Sequence, residues 1–149
     1  MMRTLKSLFT AAAIATALSV MPQSPVRADG HNPLAGGEVI AEASFVGESN
    51  HTVSGTVQVV EVSEGDSTKL YVVLGSNFLF DGAPDPRLGF SSGNEFLNET
   101  TFSSLNLDQG QQIYRLPANL NLAKLKELGA DEFTIWCEKF GVPLAEAKF

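Results

Sequence analysis

The chain has 149 residues, about the length of one domain, and its 17 acidic residues outnumber its 10 basic ones, giving a formal net charge of −7. Nucleic acids and anionic membranes repel so acidic a protein, so neither is an expected partner. A single cysteine excludes a disulfide bond within the chain.

The first 28 residues have the three parts of a secretory signal peptide. Arg3 and Lys6 precede an apolar, alanine-rich run over 8–21, and the segment 26–28 reads Val-Arg-Ala, a small-residue cleavage site. The run is shorter than the roughly 20 residues that a membrane-spanning helix needs. We therefore expect cleavage after Ala28 and export to the periplasm or the extracellular space, with no membrane span afterwards. Cleavage removes three of the 10 basic residues and none of the 17 acidic ones, which leaves a formal net charge of −10.

The first half of the exported chain alternates between apolar and polar residues, the pattern of half-buried β-strands. A polar lead that contains the start of the first strand occupies 29–42. The strands predicted here are 39–45, 51–62 and 69–74, and 78–80 extends the core. At Val59–Val60 the apolar residues switch from one set of alternate positions to the other, which predicts a β-bulge there. The sequence Asp-Gly-Ala-Pro-Asp-Pro over 81–86 is dense in turn-forming residues.

The second half adds further short strands and one helix. The strands predicted here are 87–90, 111–116 and 133–138. Leucines at 122, 125 and 128 recur every three residues and predict the helix, with Asn121 placed to cap its start and Gly129 to end it. About seven or eight short strands separated by turns predict an all-β fold, a single antiparallel β-sandwich or barrel-like domain with one short helix.

The only cysteine and the only tryptophan, Cys137 and Trp136, are adjacent in the last of these strands. Because side chains alternate between the two faces of a strand, Cys137 shares one face with the apolar Phe133 and Ile135, and Trp136 lies on the other. We therefore expect Cys137 to point into a core, or toward a group bound in one.

Four sequence blocks, in order, carry a resemblance to a known family. They are 45–55, with an aromatic residue, a glycine and His-x-Val-x-Gly; 70–79, followed by Asp-Gly and Pro-Asp; 105–117, ending Gly-x-Gln-x-Tyr-x-Leu-Pro; and 135–142, with Ile-Trp-Cys and Phe-x-Val. Over 43–149 the chain resembles the DM-thirteen domain family, small secreted domains often found beside DOMON domains. The resemblance implies a β-sandwich and an electron-transfer role centred on Cys137, as a free thiol or as ligand of a prosthetic group, with His51 and Trp136 as neighbours.

The number of cysteines and histidines limits the cofactors. Covalent c-type haem and an iron–sulfur cluster held by four cysteines both need more than one cysteine, so both are excluded within the chain. Blue copper is disfavoured, because His31 and His51 are the only histidines and every methionine leaves with the signal peptide. A non-covalent haem held by the Cys137 thiolate, opposed by His51, stays open. So does a bare redox thiol activated by Lys139 or His51.

Acidic residues in the turn over 81–86 suggest a weaker hypothesis, a cation site. Asp81 and Asp85, with Asn77 nearby, offer the oxygen ligands that Ca²⁺ prefers. The same carboxylates could instead accept hydrogen bonds from their own turn.

Two functional hypotheses remain. The leading one is an exported redox domain acting through Cys137 on an unidentified protein partner. The alternative is a non-catalytic periplasmic or cell-surface module in which Cys137 is core and the loops 81–86 and 91–101 contact a partner. No Ser-His-Asp order, paired carboxylates or phosphate-binding loop indicates an enzyme.

Overall fold

Two antiparallel β-sheets contain about half of residues 32–149, the part of the chain that the computed structural model describes. The predicted signal peptide and His31 lie outside this range. The strands are β1 (Glu38–Ser44), β2 (Val46–Gly47), β3 (Val53–Ser54), β4 (Thr56–Glu64), β5 (Ser67–Leu74), β6 (Leu79–Phe80), β7 (Pro86–Ser92), β8 (Glu95–Leu97), β9 (Ser103–Ser104), β10 (Gln112–Arg115), β11 (Glu132–Cys137) and β12 (Val142–Lys148). A short 3-10 helix spans Asn98–Thr100, and the α-helix α1 spans Leu122–Glu127.

The first sheet has the strand order β1-β4-β5-β10, and the second has the order β2-β12-β11-β7-β8, with β9 also paired to β7. In a small third sheet, β3 pairs with β6. Side chains from both large sheets pack into one buried cluster, which includes Val57, Val72, Leu88, Phe133 and Ile135. The predicted all-β sandwich with one short helix is therefore confirmed. The two sheets stay separate, so this part of the chain is not a closed barrel.

The predicted β-bulge lies in a different strand from the one expected. β4 pairs with β5 without any shift of register. The shift occurs in β1, where Val39 and Ala41 lie opposite Val60 and Val59. Ile40 is therefore the extra residue of a bulge that lies directly opposite Val59–Val60, the position predicted, but the extra residue belongs to β1 and not to β4.

A second apolar cluster explains the change of phase in β4. Val57 and Val59 face the main core, whereas Val60 and Val62 alternate with them and lie on the outer face of the first sheet. There they pack with Leu34, which precedes β1. Both faces of β4 are apolar because each has a cluster to bury.

Gly55 splits the predicted second strand into β3 and β4. Its φ is +102°, and a Cβ at this position would lie 2.6 Å from the Cα of Phe78. The glycine therefore lets the chain turn while Phe78 packs directly against its backbone.

The predicted helix is confirmed together with its caps. The Asn121 side chain accepts a hydrogen bond from the backbone N–H of Lys124 at 2.9 Å. Gly129 adopts the left-handed conformation, with φ of +69°, just beyond the end of α1. Leu125 is buried, which attaches the helix to the core.

Candidate functional site

Cys137 ends β11, a strand that is paired on both sides, with β7 and with β12. Only 1 % of its surface is exposed, and it belongs to the main core cluster with Phe133 and Ile135. The Sγ donates a hydrogen bond to the backbone carbonyl of Pro84 at 3.3 Å. The prediction that Cys137 points into a core is confirmed.

His51 is held by Asp81, the first residue after β6. The His51 Nδ1 lies 2.8 Å from one carboxylate oxygen of Asp81, and the backbone N–H of Thr52 donates to the other at 2.7 Å. The hydrogen bond from Thr52, followed by the one from His51, lowers the pKa of Asp81 below its ordinary value. The Asp81 N–H also donates to the Thr52 carbonyl at 3.2 Å. This pairing attaches the start of the 81–86 loop to the chain at His51.

The far end of the same loop is attached to Arg87 in β7 and to Glu138, the residue that follows β11. The Asp85 carboxylate lies 2.9 Å from an Arg87 guanidinium nitrogen. The Asp85 carbonyl accepts a hydrogen bond from the Glu138 N–H at 3.2 Å. The loop is thus fixed at Asp81, Pro84 and Asp85. Its sequence predicted a turn, but these three attachments involve residues distant in the chain.

The two aspartates of the predicted calcium site have different partners, since Asp81 is bound by His51 and Asp85 by Arg87. Within residues 32–149, no group of three or more His, Cys, Asp or Glu side chains is arranged to hold a metal ion. The structure therefore gives no support for a cation site at Asp81 and Asp85.

The surroundings of Cys137 do not fit a haem ligand. A haem held by this thiolate needs an apolar space in front of Sγ, but the sulfur is packed in the core and bonded to Pro84. His51, the expected opposing ligand, hydrogen-bonds Asp81 through Nδ1, which is compatible with ligation through Nε2, so the packing around the sulfur is what disfavours a haem. Within residues 32–149, the Sγ hydrogen-bonds the Pro84 carbonyl and makes no hydrogen bond to Lys139 or His51. The Lys139 Nζ lies 5.5 Å from the centre of the Phe140 ring instead.

Trp136 lies on the opposite face of β11 from Cys137, as predicted, and is half-buried. Its ring stacks on Phe96, with 4.6 Å between the ring centres and 4° between the planes. Gly89 makes room for Phe96, because a Cβ there would lie 2.8 Å from the Phe96 ring. The stack covers the outer face of the second sheet, so Trp136 packs away from the thiol.

Buried polar groups further along this outer face were not predicted. Glu132 is 3 % exposed, and Glu146 on β12 is also buried. The Ser91 and Thr134 hydroxyls share a hydrogen bond of 2.6 Å between them. Glu132 has one oxygen 3.5 Å from Lys148 Nζ and the other without a hydrogen-bond partner. Glutamates that alternate with apolar residues normally indicate a solvent-exposed face, so the sequence carried no signal for their burial.

An apolar cavity at one end of the sandwich was also not predicted. It has a volume of about 380 Å³ and lies where β1, β4 and β7 meet α1. Its lining includes Ile40, Ala41, Val59, Phe90, Leu125 and Lys126. We call it the α1 cavity. Two other cavities of about 400 Å³ each have more polar linings, one including Lys69 and Asn121 and the other Arg87 and Glu138. Cys137 lines none of these three.

Comparison with protein-family models, with curated proteins and with solved structures finds no match to this chain. The resemblance to the DM-thirteen family therefore stays a prediction. Among residues 32–149, no helix is both long enough and apolar enough to cross a membrane.

Proposed function

We propose that the protein is a non-catalytic, exported binding module in which Cys137 is a structural residue of the core. The observation that carries this proposal is the hydrogen bond from the Cys137 Sγ to the Pro84 carbonyl, made by a side chain with 1 % of its surface exposed. Buried cysteine behaves as a small apolar residue with a weak S–H donor, which is the role these contacts describe. Export is supported by the signal-peptide pattern of residues 1–28.

The contacts of the other predicted site residues support the same proposal. His51 fixes Asp81, and Trp136 stacks on Phe96 on the far side of the sheet. These side chains stabilise the 81–86 loop and the outer face of the second sheet, and they do not converge on Cys137. A loop held in one conformation loses little entropy when a partner binds, which favours recognition by this loop.

The competing proposal is the redox role that the family resemblance implies. It requires Cys137 to meet an oxidant or to hold a prosthetic group. The two proposals differ in whether a small reagent can reach the sulfur of the folded protein.

The test is thiol reactivity and visible absorbance of the protein purified without reductant. We expect no visible band. We also expect Cys137 to react about a thousandfold more slowly in the folded than in the unfolded protein, because exposing the sulfur requires an opening that costs about 4 kcal/mol or more. An exposed thiol made by Ala123→Cys in a Cys137→Ala background gives the reference rate. A fast reaction of native Cys137, or a visible band that Cys137→Ser removes, would refute the structural role of Cys137 and favour the redox proposal.

A further inference from the structure

The α1 cavity has the size and lining of a small-molecule site. Ligand sites in proteins measure about 300–1,000 Å³ and are lined mainly by apolar side chains with a few polar groups. This one measures about 380 Å³. Val59, Phe90 and Leu125 are buried and form its floor, whereas Ile40 and Ala41 are only half-buried. The cavity is therefore an apolar cleft whose rim reaches solvent.

The bulge in β1 shapes this cleft. In a regular strand, neighbouring residues face opposite sides of the sheet. At the bulge, Ile40 and Ala41 are adjacent in sequence, yet both line the cavity. The extra residue bends the strand at the rim and places two apolar side chains there.

The charge at the rim selects the ligand. Among the described residues that line the cavity, only Lys126 has a charged side chain, and the others, which include Phe149, are apolar. It is exposed, and no ion pair involves it within residues 32–149. It complements a ligand with an apolar body and an anionic end.

We propose that the α1 cavity binds an aliphatic carboxylate, with the hydrocarbon chain in the cleft and the carboxylate paired with Lys126. This inference goes beyond the proposed function, because neither Cys137 nor the 81–86 loop lines the α1 cavity. Each methylene that enters the cleft tightens binding about fourfold, the equivalent of about 0.8 kcal/mol, until the cleft is full.

The test is titration calorimetry of the purified protein with hexanoate, octanoate, decanoate and dodecanoate. Decanol and decyltrimethylammonium serve as neutral and cationic probes of matched chain length. We expect affinity to rise with chain length and then level off, and decanoate to bind more tightly than either matched probe.

Two pairs of variants assign the site. Lys126→Glu should weaken decanoate binding about five- to tenfold and leave decanol binding nearly unchanged. Lys139→Glu is the control, because it makes the same change of net charge away from the cavity, and it should have little effect on either ligand. Ala41→Leu should fill the cleft and abolish binding, whereas Ala123→Leu, on the exposed side of α1, should preserve it. Circular dichroism checks that each variant is folded. Lys126 is exposed, so its variant tests the site even where Ala41→Leu fails to fold.

The proposal is overturned if none of the carboxylates binds, if Lys126→Glu and Lys139→Glu weaken binding equally, or if decyltrimethylammonium binds as well as decanoate. It is also overturned if the wild-type protein binds no carboxylate but self-associates, and Ala41→Leu abolishes that self-association. A second copy of the chain, and not a small molecule, would then fill the cleft. Failure here is distinct from failure of the proposed function. A protected thiol with no carboxylate binding refutes only the ligand of the cavity, whereas a reactive native thiol refutes the structural role of Cys137 and leaves carboxylate binding to be judged by the titrations.

Discussion

Replacing Cys137 by alanine should lower the free energy of unfolding by about 2 kcal/mol. The side chain lies in the core with its Sγ 3.3 Å from the Pro84 carbonyl. Removing one buried heavy atom costs about 0.8 kcal/mol of transfer free energy. The void that remains adds about 0.5–1 kcal/mol. The lost hydrogen bond adds about 0.5 kcal/mol, at the low end for such bonds because sulfur is a weak donor.

Thermal unfolding measures this loss. For a domain of about 120 residues, an unfolding entropy of about 2.1 cal/mol/K per residue converts 2 kcal/mol into a decrease in Tm of about 8 °C. Cys137→Ser is the matched variant, because its hydroxyl can still donate to the Pro84 carbonyl. Hydrogen exchange of the Glu138 amide, which donates to Asp85 in the same loop, should be faster in the alanine variant than in the serine variant.

A Tm within about 2 °C of the wild type would show that the thiol contributes no packing and would refute the structural role. Equal exchange rates of the Glu138 amide in the two variants would show that the hydrogen bond to Pro84 does not hold the loop.

Two further predictions concern residues away from the thiol. Gly55→Ala should lower the free energy of unfolding, measured by urea denaturation, by at least about 3 kcal/mol, because the new Cβ meets the Phe78 backbone. Gly65 is also at positive φ but has open space around it, so Gly65→Ala should lower the free energy by only about 1 kcal/mol. Equal losses in the two variants would contradict the role given to the close approach of Phe78. Burial, with repulsion from Glu132 and Glu48, raises the pKa of Glu146 in the folded protein above its ordinary value of 4.5. Ionised Glu146 therefore destabilises the fold at neutral pH, whereas below pH 4.5 the side chain is protonated in both states and the effect disappears. Glu146→Gln should therefore raise Tm at neutral pH, and this gain should vanish as the pH falls below 4.5. The exposed Glu95→Gln is the control. A gain in Tm that persists in acid, or an equal gain from Glu95→Gln, would refute the destabilising effect of Glu146 ionisation.

The parts of the fold that depend on local pattern could be predicted from the sequence. Alternation alone placed Cys137 with Phe133 and Ile135 and put Trp136 on the other face, because side-chain direction along a strand has a fixed period. Asn121 and Gly129 bounded the helix because capping uses groups within a few residues of the helix end.

The contacts between distant segments could not be predicted in this way. His51 and Asp81 are 30 residues apart in the chain. Their pairing depends on β3 and β6 forming a sheet of their own, which no local pattern encodes. The bulge was placed in the wrong strand for a related reason. Val60 and Val62 interrupt the alternation of apolar and polar residues along β4, which in the sequence resembles a bulge. The structure shows that they are apolar because they pack with Leu34 on the outer face of the sheet. The α1 cavity is a space between elements, so no single stretch of sequence describes it.

The bulge at Ile40 also disfavours the addition of a further strand at the edge formed by β1. β1 is an edge strand of the first sheet, and an edge offers unpaired N–H and C=O groups that a second chain can extend into a continuous ladder. The extra residue breaks the even spacing that such a ladder needs, and Glu38 and Glu42 add negative charge along the strand. A second copy aligned on this edge would meet both a mismatched register and like charges. One inserted residue can therefore shape a cleft inside the sandwich and protect its border from strand addition.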